Sequence, residues 1–228
     1  MITMAEKNVW IVIPAFNEEA TIKQVIKGLK KHGWKNIIVV DDGSVDNTSN
    51  IAEREGVIVL KHIINRGLGA ALGTGIKAAL QLGADIIVTF DADLQHKPED
   101  VERLIKPIIQ GKADFVIGSR FLNKEYLKGM PLSKKIGNIG LNIITYLLFG
   151  AKTSDSQSGL RAFSRKAAQT INIKTNRMEV SSEIIAEVAR KKLKKAEIPI
   201  KAIYLRKGQS VWDGFKILGK LILKRLME

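Results

Sequence analysis

The chain has 228 residues, 45% hydrophobic and 26% charged, enough for one α/β domain with a full core. It has no cysteine, which excludes a disulfide framework and a thiolate metal site and fits a reducing compartment. A formal net charge of +14 points to an anionic partner: nucleic acid, anionic lipid or a phosphorylated substrate.

The first residues, Met1-Ile2-Thr3-Met4-Ala5-Glu6-Lys7, contain no apolar signal region. Residues 9–13 are a short apolar run stopped by Pro14. Residues 18–31 have helical spacing through Ile22, Val25, Ile26 and Leu29. A strand is predicted over 36–40, ending in Asp41-Asp42-Gly43-Ser44, and Asp46 or Thr48 could cap a helix through Glu55. Residues 57–60 are a third strand, and 69–82 an Ala/Gly-rich helix suited to close packing on a sheet. Residues 86–90 are a fourth strand, Pro98 opens a helix to Gln110, and 115–118 are a fifth strand. Short, all-apolar strands between helices predict a mostly parallel sheet covered on both faces.

Beyond these, residues 123–132 read as a polar loop and 133–149 as a largely apolar helix with Lys134 and Lys135 at its start. A polar turn over 153–159 precedes an apolar segment at 160–163. A helix is predicted over 181–192, a strand over 197–205 and a basic amphipathic helix over 212–227. No run of about eighteen uncharged apolar residues occurs, so no spanning helix is expected.

Open parallel sheets bind ligands beyond the carboxyl ends of their strands. The polar clusters Asn17-Glu18, Asp41-Asp42, Asn65-Arg66 and Asp91-Ala92-Asp93 all fall there. Two carboxylates one residue apart at the end of a buried strand suit magnesium or manganese, hard cations that share oxygen ligands with substrate phosphates. Scarce aromatics and acidic strand ends argue against a nucleic-acid groove.

Taken together, the motifs resemble the inverting glycosyltransferases of family 2, with the GT-A fold. Within them the chain looks like the dolichyl-phosphate mannose synthase group of polyprenyl-phosphate sugar transferases. The resemblance rests on Ile13-Pro14-Ala15-Phe16-Asn17-Glu18-Glu19, Val40-Asp41-Asp42-Gly43-Ser44, Asn65-Arg66-Gly67-Leu68-Gly69-Ala70 and Asp91-Ala92-Asp93-Leu94-Gln95-His96. It continues through Gly118-Ser119-Arg120, Asp155-Ser156-Gln157-Ser158-Gly159-Leu160-Arg161 and Arg206-Lys207-Gly208-Gln209-Ser210. It implies one α/β domain over 1–228: a nucleotide-sugar-binding half (5–120), an acceptor-binding half (121–210) and a C-terminal helix (211–228).

The implied activity is metal-dependent, inverting transfer of a hexose to a polyprenyl (dolichyl) phosphate. Mannose from GDP-mannose stands first; UDP-glucose or a UDP-N-acetylhexosamine, or transfer to a sugar hydroxyl, is the alternative. The resemblance assigns Pro14, Ala15, Asn17, Glu18, Asp41, Asp42, Ser44, Arg66, Gly69, Asp91 and Ala92 to the donor. It places Asp91, Asp93 and Gln95 around Mg2+ or Mn2+, with Asp91 assigned more loosely to ribose or metal. Arg120, Lys134, Lys135 and Arg206 would hold the acceptor phosphate, and Asp91, Asp93, Arg120 and Arg206 would carry catalysis. The expected partners are the donor, the lipid acceptor and the membrane surface, and the lack of a spanning run leaves room for a separate membrane anchor subunit. The expected location is the cytoplasm, peripheral at the cytoplasmic face of the membrane.

Two departures stand out. Lysines occupy the helix start where the family carries arginine, keeping the charge and losing the bidentate fork. The only histidines are His32, His62 and His96, so no late histidine can serve a metal and Gln95 takes its place. Several residues also have purely structural readings: a turn at Asp41-Asp42-Gly43-Ser44, helix packing at Gly69 and Gly73, a local partner role for His96, ion pairs at Arg120 and Arg206, and a structural Glu183.

Overall fold

The structure, a computed structural model, describes residues 7–204. Arg206, the helix expected over 212–227 and the end of the last expected strand lie outside them. Seven strands, β1 (Val9–Ala15), β2 (Ile37–Asp41), β3 (Ile58–Lys61), β4 (Ile86–Thr89), β5 (Phe115–Ser119), β6 (Arg161–Ser164) and β7 (Lys195–Pro199), share one sheet. Their order is β3-β2-β1-β4-β6-β5-β7. All pairings are parallel except those of β6, which runs antiparallel to both β4 and β5.

The helices are α1 (Ile22–Lys31), α2 (Thr48–Arg54), α3 (Leu68–Gln81), α4 (Asp100–Ile109), α5 (Leu132–Phe149), α6 (Arg165–Thr170) and α7 (Val180–Arg190). Alternate strand residues serve opposite faces. Ile11, Ile13, Val39 and Val88 pack with α1 and α4; Val12, Ile38, Val40 and Ile87 pack with α3 and α7. This two-sided burial explains the continuous apolar strands. Gly75 of α3 lets that helix close on the sheet, since a Cβ there would lie 2.3 Å from Val12 Cγ1.

Three expectations are corrected. The helix predicted from Glu18 begins at Ile22, because residues 18–21 are drawn into a turn: Glu18 N–H donates to Thr48 Oγ1 at 2.8 Å and Glu19 N–H to Asp46 Oδ2 at 3.1 Å. The strand predicted over 197–205 starts at Lys195 and ends at Pro199; the chain then leaves the sheet, and Ile203 N–H donates to Gln95 O at 2.9 Å. Helix α6 was not expected; Ser164 opens it by accepting from Ala167 N–H at 3.1 Å.

Glu197 of β7 ties the 153–154 loop to the sheet, accepting from Thr153 Oγ1 at 2.9 Å, Ser154 N–H at 3.2 Å and Lys195 Nζ at 2.8 Å. Burial opposes its charge, but hydrogen bonds from Lys195 and Ser154 outweigh this and hold its pKa below the usual 4.5. A depressed carboxylate stabilises the fold above its unfolded pKa and loses that contribution as pH falls through the folded value. Urea midpoints of Glu197→Gln and wild type should therefore converge below pH 4.5 and separate above it, with wild type the more stable.

Candidate active site

Strands β1, β2, β4 and β5 end on one edge of the sheet, and antiparallel β6 begins there. Asp91, Asp93 and Gln95 therefore follow β4, Arg120 follows β5, and Asp155, Gly159 and Arg161 arrive from the other direction.

The loop after β4 is internally braced. Leu94 takes φ 63°, in the left-handed region, which turns the chain so that Gln95 N–H meets Asp93 Oδ1 at 3.0 Å. Gln95 Nε2 donates to Asp93 Oδ2 at 2.5 Å. His96 is buried and donates from Nε2 to Asp91 Oδ2 at 2.9 Å, with its ring edge-on to Phe90. Burial works against the Asp91 charge; the His96 hydrogen bond and the positive charges of His96, Arg161 and Arg120 prevail and lower its pKa. Asp93 goes the other way: burial, and then the charge of Asp91, raise it above the ordinary carboxylate range. Two carboxylates in mutual repulsion beside an amide oxygen are a hard-oxygen set that a divalent cation would relieve. Among the described residues no three His, Cys, Asp or Glu side chains group around a metal position, so the fit depends on Gln95 as the third protein ligand.

Behind this loop sit two buried arginines. Arg120 Nε and Nη2 each meet an Asp155 carboxylate oxygen at 2.7 Å, and its N–H adds a third bond at 3.0 Å. Burial disfavours the Arg120 charge, yet Asp155 raises its pKa. The forked edge expected to face an acceptor phosphate is thus occupied by Asp155. Arg161 is 1% exposed, with Nη2 at 2.9 Å from Ser156 O. Burial pushes its pKa down to about 10, with Asp91 and Asp155 pulling against the shift. Removing one member of a buried pair leaves the other charge uncompensated, so Asp155→Ala should cost about 3–5 kcal/mol in urea unfolding.

Of the two α5 lysines, Lys134 carries the contacts to the site. Its Nζ lies 3.4 Å from Gln95 Oε1 and 5.3 Å from the centroid of the Tyr204 ring. Burial, then the nearby Arg120 charge, lower its pKa. Lys135 is half-buried one position round the helix.

On the β1–β2 side, a 270 Å³ pocket is lined by residues including Pro14, Ala15, Phe16, Asp42, Arg177 and Met178. Asp42 is held by Arg66 N–H (3.0 Å), Gly67 N–H (2.6 Å) and His62 Nδ1 (2.7 Å), while His62 Nε2 meets Thr74 Oγ1 at 3.0 Å. The Arg66 side chain is exposed. Asn17 and Ser44 bind one another's loops: Asn17 N–H donates to Ser44 Oγ at 2.9 Å, and Asn17 Oδ1 accepts from Val45 N–H at 3.0 Å. Glu18 Oε2 accepts from Thr21 Oγ1 at 2.6 Å.

Three residues assigned to the donor have side chains or space already spent. Asp41 is fully buried and accepts from Ser44 N–H at 2.8 Å and from the Ser49 hydroxyl, so it supports the turn. Ala92 is a core residue, 4% exposed. Gly69 is a packing position: a Cβ there would lie 1.9 Å from Thr175 O, and Gly69 N–H donates to Asn176 O at 2.7 Å. The start of α3 is therefore met by the 175–176 backbone, and buried Glu183 holds that loop through Lys174 N–H (3.1 Å) and Thr175 N–H (2.9 Å). His62, Arg177, Met178 and Tyr204 were not singled out as site residues by the sequence, and Phe16, though inside the first motif, was given no role there.

Residues 10–171 match Glycosyl transferase family 2, and the chain belongs to that family of enzymes. It is 44% identical, over 98% of each chain, to a UDP-N-acetylglucosamine–dolichyl-phosphate N-acetylglucosaminyltransferase of Methanococcus voltae. It is 28% identical to an undecaprenyl-phosphate mannosyltransferase of Micrococcus luteus, over 93% of this chain and 90% of the relative. In fold it is similar to glucosyl-3-phosphoglycerate synthase of Mycobacterium tuberculosis, solved with Mn2+, UDP and glucosyl-3-phosphoglycerate, with TM-score 0.74 and 21% identity over 97% of this chain and 80% of that one.

Proposed function

We propose that this glycosyltransferase moves an N-acetylhexosamine from its UDP donor to a polyprenyl phosphate with inversion at the anomeric carbon. The observation that carries the reading is the contact of Lys134 with Gln95 in the loop after β4, on the sheet edge where residues after β1 and β2 line a 270 Å³ pocket. GDP-mannose ranked first on sequence; the relative at 44% identity favours the UDP-N-acetylhexosamine alternative.

In this reading Asp42, set by His62 and the 66–67 backbone, receives the nucleoside, with Pro14 and Ala15 as an apolar floor. Asp91, Asp93 and Gln95 would hold Mg2+ or Mn2+, which supplies a counter-charge for the departing nucleoside diphosphate. Arg161 and His96 keep Asp91 ionised for that task. The acceptor phosphate is already an anion at neutral pH, so the site needs cations to cancel repulsion rather than a strong base. Lys134 supplies that contact, and Arg120, engaged with Asp155, adds charge from behind.

Helix α5 suits a lipid surface. Leu132, Ile136, Ile139, Ile143, Tyr146 and Leu147 form an exposed stripe at helical spacing, with exposed Lys124 and Lys128 before it. Among the described residues no helix is long and apolar enough to cross a membrane. Flotation of the chain alone with anionic vesicles should succeed and fail for Ile136→Glu/Ile143→Glu; no flotation of the parent chain would overturn the lipid-surface reading of α5.

The donor is tested by supplying polyprenyl phosphate, Mn2+ and labelled UDP-N-acetylglucosamine, UDP-glucose or GDP-mannose. Labelled lipid phosphate from the first donor is expected. Product from GDP-mannose alone would replace the donor, and no lipid product from any donor would overturn the acceptor.

A further inference from the structure

Gln95 is held at every polar atom. Its N–H and Nε2 donate to the two oxygens of Asp93, at 3.0 and 2.5 Å, its Oε1 accepts from Lys134 Nζ at 3.4 Å, and its carbonyl accepts from Ile203 N–H at 2.9 Å. These partners fix the orientation of the amide, because a carboxylate requires the NH2 and an ammonium requires the oxygen. Oε1 is then the one side-chain atom through which Gln95 can ligate a hard cation. That atom is already engaged by a positive charge.

An ammonium hydrogen-bonded to an oxygen and a divalent cation bound to it repel one another at close range. We infer that Lys134 is a positioning residue for Gln95 that hands Oε1 over to the cation and turns to the acceptor phosphate, so that metal and donor are committed before the acceptor is held. This rests on the reading of Asp93 and Gln95 as cation ligands and of Lys134 as an acceptor contact. Until the handover, Lys134 keeps the Gln95 amide in place and its own charge off the acceptor. The ammonium lies over the Tyr204 ring, 5.3 Å from its centroid, and once released from Oε1 it is free to meet the incoming phosphate.

The test is a double-mutant cycle on Mn2+ binding, read as the electron paramagnetic resonance signal of free Mn2+ with neither donor nor acceptor present. Methionine replaces Lys134 because it keeps the stem and removes the ammonium. Gln95→Ala should weaken Mn2+ binding. Lys134→Met should tighten it roughly three- to tenfold, the worth of one modest hydrogen bond, and this gain should vanish when Gln95→Ala is also present. Equal tightening in both backgrounds would reduce Lys134 to a like-charge effect and overturn the handover. So would unchanged affinity in Lys134→Met while Gln95→Ala weakens binding. Undiminished affinity in Gln95→Ala would instead strike the ligand reading beneath it. A second readout is acylation of Lys134 by a small amine-reactive ester: Mn2+ alone should accelerate it in wild type and leave it unchanged in Gln95→Ala, and equal rates with and without Mn2+ in wild type would overturn the inference.

Discussion

Replacing Asp93 by alanine is expected to lower kcat for sugar transfer by about 10³-fold at saturating Mn2+, without destabilising the fold. The two halves have one cause. Asp93 is held in a partly buried position beside the charge of Asp91, and both push its pKa up. Such a carboxylate costs the empty protein stability and is worth its place only when a counter-charge arrives. Hydrogen bonds from Gln95 compensate part of that cost, so the variant should melt within a few degrees of wild type in metal-free buffer. Parallel kcat measurements and thermal melts check the pair. Activity within tenfold of wild type would remove Asp93 from the cation site; a collapse in melting temperature would make its role structural.

The second large effect should come from a single methyl group. A Cβ at Gly159 would lie 2.1 Å from Asp91 Oδ2 and 2.2 Å from Oδ1, well inside contact distance. The loop cannot easily retreat, because Thr89 Oγ1 donates to Gly159 O at 2.7 Å. Gly159→Ala must therefore move the Asp91 carboxylate away from His96 and out of its line with Asp93. A displacement near 1 Å in a reacting centre costs about 10²-fold in rate. The accompanying overpacking should cost about 1–3 kcal/mol. Gly137→Ala is the matched control: a Cβ there meets nothing, and in a helix it should add about 0.5–1 kcal/mol of stability with kcat/KM unchanged. Equal behaviour of the two variants in kcat/KM would show that Asp91 tolerates displacement.

The strands were legible because two-sided burial writes itself as unbroken apolar runs such as Ile86-Ile87-Val88. The direction of β6 was not legible: four residues, Arg161–Ser164, carry no mark of whether their neighbours run with or against them. The loop Asp91 to Gln95 was readable since its chemistry is local, with bonds spanning two residues. The packing of Asp41, Ala92 and Gly69 was not legible for a related reason. Composition reveals a residue at a strand or helix end, but not the packing that has already claimed it, as Thr175 claims the space at Gly69. Tyr204 meets Lys134, and Arg177 lines the pocket with Pro14 and Asp42, across long stretches of chain, and such contacts leave no local pattern.

The reversed strand has a consequence for how the chain is made. β5 reaches β4 only through β6, so β4 and β5 each keep an unpaired edge until residues 161–164 have been synthesised. Apolar edges exposed that long invite pairing with other chains. A ribosome-released fragment ending after residue 120 would therefore hold the whole nucleotide pocket floor in sequence and still be an aggregation hazard rather than a half-enzyme. The strand that bridges β4 and β5 also delivers Gly159 and Arg161 to Asp91, so the chain acquires its chemistry as that gap closes, and β7 covers the remaining edge of β5 once residues 195–199 are made.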